Sequence, residues 1–536
     1  MIKPFAAAAL AVALSGSPVL AQTIYPIDRA EILAGARFDF KVEFPERVDP
    51  ATVKVTVNGA DHAAAFGQSG TFVEREDGKD LSALILRDVA LSKPGPVTVE
   101  VSDGTSRRSV AWTVYDTGPR QAKNVILFVG DGMSPAVRVA ARILSRGIAE
   151  GRSRGKLAID DMPHMALVAT AGTDSIITDS ANSASAYATG HKTANNAMGV
   201  YADRTASPFD DPRVETIASL AKRKLGLAIG IVTNTEVEDA TPAAMVAHTR
   251  RRAAYDEIIA QFFAAKPDVL MGGGSANFLP QAAAGSKRKD DIDYVARFRD
   301  AGYPVALTKG ELEAIASKPD TRRMLGLFAT GNMDGALDRK FAGGGGVAKF
   351  PEQPDLTGQT QAALNVLSRN ESGFFLMVES GMIDKYAHIL DMERAVYDTI
   401  MLDNAVRLAR DWSRARGDDT LILVVADHNH SNSLIGTLNG EAAPDAPLQE
   451  RVRVYDKAGF PDYAPPNAEG YPSRVEASRR LAILASSQSI LGGSVHSGED
   501  VILTATGPGA GRVRGSMDNT DVFRVMAEAL GLAAVQ

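Results

Sequence analysis

A carboxylate directly before a serine opens the run Thr178-Asp179-Ser180-Ala181-Asn182-Ser183-Ala184-Ser185-Ala186. The run is alanine-rich and helix-compatible, so it predicts a helix that starts at the serine. Unpaired backbone N–H groups gather at such a start. A hydroxyl there is placed to attack an anion and then carry the negative group. The same Asp-Ser pair serves equally well as a plain cap, so its weight comes from its company.

Five further polar clusters lie at the ends of apolar runs, at helix starts or in glycine-rich loops. The run Val125–Val129 is continuously apolar and reads as a buried parallel strand, with Asp131 beyond it between Gly130 and Gly132. In an open α/β sheet that strand end is where sites are built, although Gly-Asp-Gly also makes a simple turn. Glu238-Asp239-Ala240-Thr241-Pro242 follows the apolar Leu227–Val232. Pro242 suits the first helical position with Thr241 as cap, and the helix is expected to run through His248 to Arg250, Arg251 and Arg252. One of these arginines can fork onto a phosphate; a solvated basic run fits the pattern as well.

Phe375–Val378 leads to Glu379, followed by Asp384 and His388 four residues apart. One helix face presents both, as a zinc half-site or a local Asp–His pair. Leu421–Ala426 ends in adjacent Asp427 and His428, the clearest case. His496 sits among small and turn-prone residues, Gly493 to Asp500, as suits a ligand inserted from a loop. Mixed N/O donors of this kind suit two neighbouring zinc ions, and an oxygen-only position beside them suits magnesium.

The stretches Val125–Met133, Thr178–Val200, Glu238–His248, Val378–His388, Ala426–His428 and Val495–Asp500 resemble the alkaline phosphatase family in order and local context, over roughly residues 120–530. The resemblance implies hydrolysis of small phosphate monoesters to an alcohol and inorganic phosphate, through a phosphoserine, at a site with two Zn2+ and one Mg2+. It implies Ser180 as nucleophile, with Asp131, Asp427 and His428 holding the zinc beside it. Asp384, His388 and His496 would hold the second zinc, and Asp131, Thr241 and Glu379 the magnesium. Arg252 is the best match for the phosphate clamp, with Arg250 and Arg251 as weaker candidates, and Asp179 would orient it. Asp239 and Lys385 resemble the acidic and basic pair of the bacterial type. Family members commonly form homodimers, so a homodimer is expected. The exported bacterial relatives carry disulfides, which this chain, with no cysteine, cannot form.

The elements that must position these residues divide the chain. Residues 118–536 alternate strands and helices, which predicts an α/β catalytic domain with a central, largely parallel sheet flanked by helices. Residues 22–117 differ. Phe38–Phe44, Val53–Val57, Val97–Val101 and Val110–Tyr115 alternate or pair with turn signals, which predicts a small antiparallel β-sandwich with its boundary near Gly118-Pro119. That unit offers none of the site residues and is expected to be separable from the chemistry. Lys309–Ala316 and Val522–Leu532 are expected to be helices, Gly272–Gly274 a tight strand exit, and the stretch 280–355 with Gly343–Gly346 a mobile rim.

Residues 1–21 read as a secretory leader: Lys3, an apolar Phe5–Leu14, and Val19-Leu20-Ala21 before Gln22. No later window is long and apolar enough to predict a membrane span, so a periplasmic or secreted enzyme is expected. The net charge of −7 argues against a nucleic-acid binder, so phosphate attraction must be local. Diesters or sulfate esters are the alternative substrates, but with no cysteine the chain lacks the nucleophile precursor of a cysteine-type sulfatase. A non-catalytic binding protein would have lost a matched residue, and none is lost. His62, His164, His191 and His248 are expected to be structural, and His430 to line the pocket without ligating.

Overall fold

The computed structural model describes residues 22–342, 351–434, 437–438, 452–453, 470–471, 484–486 and 493–533. The leader read in residues 1–21 and the run Gly343–Gly346 lie outside the described residues. At the centre is a ten-stranded sheet. Its order is Val305–Ala306, Met324–Leu327, Val269–Gly273, Ala228–Glu236, Phe374–Ser380, Asn124–Gly130, Thr420–Val425, Val501–Thr506, His164–Ala169 and Arg514–Asp518. The first seven run parallel, and Val501–Thr506 runs against both neighbours. The largely parallel α/β sheet expected from the sequence is therefore present.

The middle strands are buried along their whole length, which is why they read as unbroken apolar runs. Helices Met392–Arg414 and Asn519–Leu530 pack on them. Their register is level at one end: Gly130 lies opposite Ser380, and Val129 opposite both Glu379 and Val425. Residues that follow these strands therefore emerge together.

One expectation needs correction. The helix after Glu238 spans only Ala240–Ala243, and Asp239 is its cap, accepting from the Ala240 N–H at 2.8 Å. Thr241 is inside the helix, and His248 and Arg252 lie beyond it in turns. A carboxylate just before Ala240 caps better than a threonine already inside the first turn.

Residues 23–115 form two sheets. One has four antiparallel strands, Thr23–Tyr25, Arg37–Glu43, Ala83–Ala90 and Thr71–Val73. The other has five, and is antiparallel except that Glu31–Leu33 runs parallel to Arg107–Tyr115. Phe38, Phe40, Phe66 and Trp112 meet edge-on or tilted in the core. One strand here departs from the usual patterning. Strict alternation in Phe38–Phe44 ordinarily leaves the polar positions at solvent. Asp39, Lys41 and Glu43 are instead buried.

Candidate active site

Asp131 leaves its strand at Gly130 and is followed by Gly132 at φ +61°. A Cβ on Gly132 would come within 2.9 Å of the His430 ring and 3.1 Å of Asp384, so the turn requires glycine twice over. The Gly132 N–H donates to Asp427 Oδ1 at 3.0 Å, which ties the first strand's exit to the exit of Thr420–Val425.

Ser180 is the first residue of the helix Ser180–Thr189, as the sequence predicts. Asp179 caps it by accepting from the Asn182 N–H at 3.0 Å, and Asn182 returns the contact to the Asp179 N–H. Ser180 is buried, with Oγ 3.3 Å from His428 Nε2 and 3.5 Å from each Asp131 oxygen. His428 Nε2 is 3.1 Å from Asp131 Oδ1 and 3.5 Å from Asp427 Oδ2. Asp131, Asp427 and His428 thus form one group with convergent donor atoms. Asp427 Oδ2 is buried with no hydrogen-bond partner. That is costly unless a cation is meant to meet it.

Asp384, His388, His430 and His496 form the second group. Asp384 and His388 share the helix Met382–His388, and His496, expected in a loop, instead opens the short strand His496–Ser497, which pairs antiparallel with Asn429–His430. The Nε2 atoms of His430, His388 and His496 lie 2.9, 3.3 and 3.4 Å from the same Asp384 oxygen. His388 Nδ1 faces Ser494 O and His496 Nδ1 faces Thr178 O, which turns both Nε2 atoms inward.

Beside them, Glu379 ends its strand and is held by Thr233, and by Thr235 at 3.1 Å. Thr241 Oγ1, released from capping, is buried without a partner. Asp131, Glu379 and Thr241 each carry oxygen donors only. The two N/O groups suit zinc and the oxygen set suits magnesium.

Arg252 reaches the site from its turn. Its fork is 2.9 Å from Asp239 and 3.4 Å from Asp179. Lys385 Nζ is 3.0 Å from the other Asp239 oxygen. Arg250 and Arg251 do not join this set: Arg250 pairs with Asp203 and Asp211, and Arg251 is exposed.

The electrostatics follow from this inventory. Burial, then the negative charge of Asp131, pushes Glu379 up to about 8. Burial, with the charges of Asp131 and Asp384, raises Asp427 well above the carboxylate range. Burial would raise Asp384 too, but hydrogen bonds from His430 and His496 hold it well below that range. Burial would also raise Asp239, and Lys385 and Arg252 hold it down instead. Burial would lower Arg252 and Lys385, but Asp239 together with the other carboxylates around them raises both and keeps them protonated. Burial would lower His428, but its bond to Asp131 and the charges of Asp131 and Asp384 together raise it.

Sequence reasoning missed several supports. His430, expected only to line the pocket, points its Nε2 at Asp384 and its Nδ1 at Ser494 Oγ, 2.8 Å away. Its two-residue spacing from His428 in an extended segment was the available signal. Asn234 Oδ1 accepts from the Gly381 and Met382 N–H groups at 2.8 and 3.3 Å. It thereby caps the Asp384 helix, whose own cap residue, Gly381, has no side chain to do so. Only the polar Thr233-Asn234-Thr235 after an apolar run hinted at this.

A sequence model of the alkaline phosphatase family matches residues 122–532. The chain is 33% identical over 453 residues to the alkaline phosphatase of Escherichia coli strain K12, covering 77% of this chain and 87% of that protein. It is 33% identical over 457 residues to the streptomycin-6-phosphate phosphatase of Streptomyces griseus, covering 78% and 92%. The fold is similar to that of Thermus thermophilus alkaline phosphatase, with a TM-score of 0.59, 26% identity, and coverage of 78% of this chain and 93% of that one.

Proposed function

This chain belongs to the alkaline phosphatase family of metal-dependent phosphomonoesterases, and on that premise we propose that it hydrolyses its esters through a phosphoserine at Ser180. Asp131, Asp427 and His428 would hold one zinc, Asp384, His388 and His496 a second, and Asp131, Thr241 and Glu379 a magnesium. Bound there, these metals supply Lewis acidity, lowering the pKa of a hydroxyl or water and neutralising oxygen charge.

The chain's own residues do the rest. A monoester dianion must be brought to a buried serine surrounded by carboxylates. Arg252, kept protonated by Asp239 and Asp179, presents a fork to two phosphoryl oxygens. Lys385 stays protonated and holds Asp239 from the other side. Ser180 Oγ forms a bond to phosphorus as the bond to the alcohol oxygen breaks. Water then attacks phosphorus from the side the alcohol left, inorganic phosphate departs, and the serine is restored. Two in-line displacements give net retention.

The observation that carries this reading is the position of Ser180: first in its helix, 3.3 Å from His428, and next to the capping carboxylate that orients Arg252. Acid quench during turnover of a phosphate-labelled monoester, followed by peptide mapping, tests it. Label is expected on Ser180. Label on Thr178, Ser183 or Ser185 refutes the assignment.

The sequence of residues 1–21 supports an exported enzyme, periplasmic or secreted, and no helix among the described residues is long and apolar enough to cross a membrane. A homodimer, and the division into residues 22–117 and 118–536, belong to the same proposal.

A further inference from the structure

Asp39, Lys41 and Glu43 are buried because a strap from the catalytic region, residues 203–215, lies over them. Thr23–Tyr25 pairs only with Lys41–Glu43, which leaves the strand edge at Arg37–Asp39 open. The strap takes that edge. The Asp39 N–H donates to Arg213 O at 2.8 Å, and the Glu215 N–H to Arg37 O at 2.9 Å.

The hydrogen bonds then continue inward. The Val214 N–H donates to Gly199 O at 2.8 Å, and Met198 and Thr249 exchange two bonds of 2.8 and 2.9 Å. The Arg252 N–H ends the series on Asn196 O at 3.1 Å. The Asn196 N–H donates to Asp179 Oδ2 at 3.0 Å, on the residue that caps the Ser180 helix.

Side chains run alongside. Lys41 Nζ lies 2.6 Å from Asp203 Oδ2, and Arg250 Nη1 lies 3.1 Å from Asp203 Oδ1 and 2.5 Å from Asp211. Arg250 also donates to the Thr205 carbonyl. Arg250 precedes Arg252 by two residues, so anchoring it fixes the backbone from which the phosphate fork reaches.

We propose that the first β unit is a positioning part of the phosphate site: its strand Arg37–Glu43, acting through Asp203 and Arg250, sets the backbone of Arg252 and the orientation of Asp179. This rests on Arg252 being the phosphate clamp. The matched family model begins at residue 122, so the support comes from a part of the chain outside it. Buried ion pairs tolerate little displacement, because a shifted partner leaves a charge uncompensated. The strap therefore has one position, and a fork set slightly wrong loses its two-point grip.

The test compares Asp203→Asn, which keeps shape and removes the shared charge, with Arg250→Lys, Arg252→Lys and the exposed-pair control Arg47→Ser. Each is purified as the metal-loaded full chain, with metal content and Tm recorded. The readouts are the inhibition constant for inorganic phosphate, and KM and kcat for a small monoester. Asp203→Asn and Arg250→Lys are each expected to weaken phosphate inhibition and raise KM about fivefold to tenfold, with a smaller change in kcat and unchanged metal content. Arg47→Ser is expected to change nothing. A purely structural role would lower Tm and leave phosphate inhibition at its normal value, which overturns the proposal. Should Asp203→Asn fail to fold, Arg250→Lys decides by the same constant. Unaltered inhibition in Arg252→Lys would instead overturn the clamp assignment, and this proposal with it.

Discussion

At or beyond the ends of the central strands, Asp131, Glu379, Asp384 and Asp427 are buried together, and Lys385 comes within 3.9 Å of Asp384. Beneath the first β unit, Glu43, Glu76, Asp203 and Asp211 are buried equally well, but each faces Lys41, Arg204 or Arg250. The consequences diverge. In the first cluster burial and the neighbouring carboxylates raise Glu379 to about 8 and Asp427 well above its usual range, while hydrogen bonds from His430 and His496 hold Asp384 down. In the second, burial would raise Asp203, but its bonds from Lys41 and Thr205 lower it, whereas burial leaves Glu43 raised and lifts Asp211 only to about 6 against the pull of Lys41 and Arg250. A buried carboxylate cluster that carries its own cations fastens one part of a protein to another. One that lacks them is a receptor for cations from outside.

The largest effect should come from the one residue that uses the first cluster without belonging to its charge. Ser180→Ala is expected to lower turnover by at least about a thousandfold while metal content stays normal. Parallel turnover and metal analysis of one sample check this. Loss of metal along with turnover would mean Ser180 helps hold the cluster together.

Charge removal should act with opposite sign in the two regions. Lys41→Met leaves Glu43, Glu76 and Asp203 short of their shared cation. It should destabilise the chain by about 3–5 kcal/mol. Asp427→Asn keeps the oxygen that accepts from Gly132 and His428, and removes a repulsive charge. The metal-stripped Asp427→Asn chain should therefore be more stable than the stripped parent, although it binds metal less well. Denaturant melts with and without chelator check both, and equal signs would erase the distinction.

A support tested by itself should cost less. His430→Ala removes the imidazole that bonds Asp384 at 2.9 Å. Metal affinity at the second group is expected to fall about 10–100-fold, with little change in metal at the Ser180 group. Site-resolved metal titration checks this.

The smallest effect is a pH drift in the stripped chain. The folded-state pKa of Glu379, about 8, lies above its ordinary 4.5, so the folded chain keeps a proton that the unfolded chain releases. That stability is complete below about pH 4.5 and is lost as pH rises through about 8. The Tm of stripped protein should fall by a few degrees over that window, and the Tm of loaded protein should not follow it. A flat profile for the stripped chain would show that Glu379 ionises freely.

Much of the site was legible because its residues sit at ends that leave sequence marks. Asp131, Glu379, Asp427 and His428 each follow an unbroken apolar run, since a parallel strand covered on both faces must be apolar throughout. Asp384 and His388 were paired by helical spacing, and Ser180 by the cap before it. Arg252 was singled out from Arg250 and Arg251 by resemblance and not by the expected helix, and in the structure a turn and its bond to Asn196 place it.

By itself, then, the sequence determined the central strands, the start of the Ser180 helix and the types of donor atom, because burial and capping act over a few neighbouring residues. Only the tertiary structure decided which donors converge. It also freed Thr241 from capping, brought Asn234 to a helix 147 residues away in the chain, and turned the polar face of Arg37–Glu43 inward. Alternation says that a strand has two unlike faces. What each face meets depends on the fold, and here the polar face meets Asp203, Arg204 and the strap that leads to Arg252.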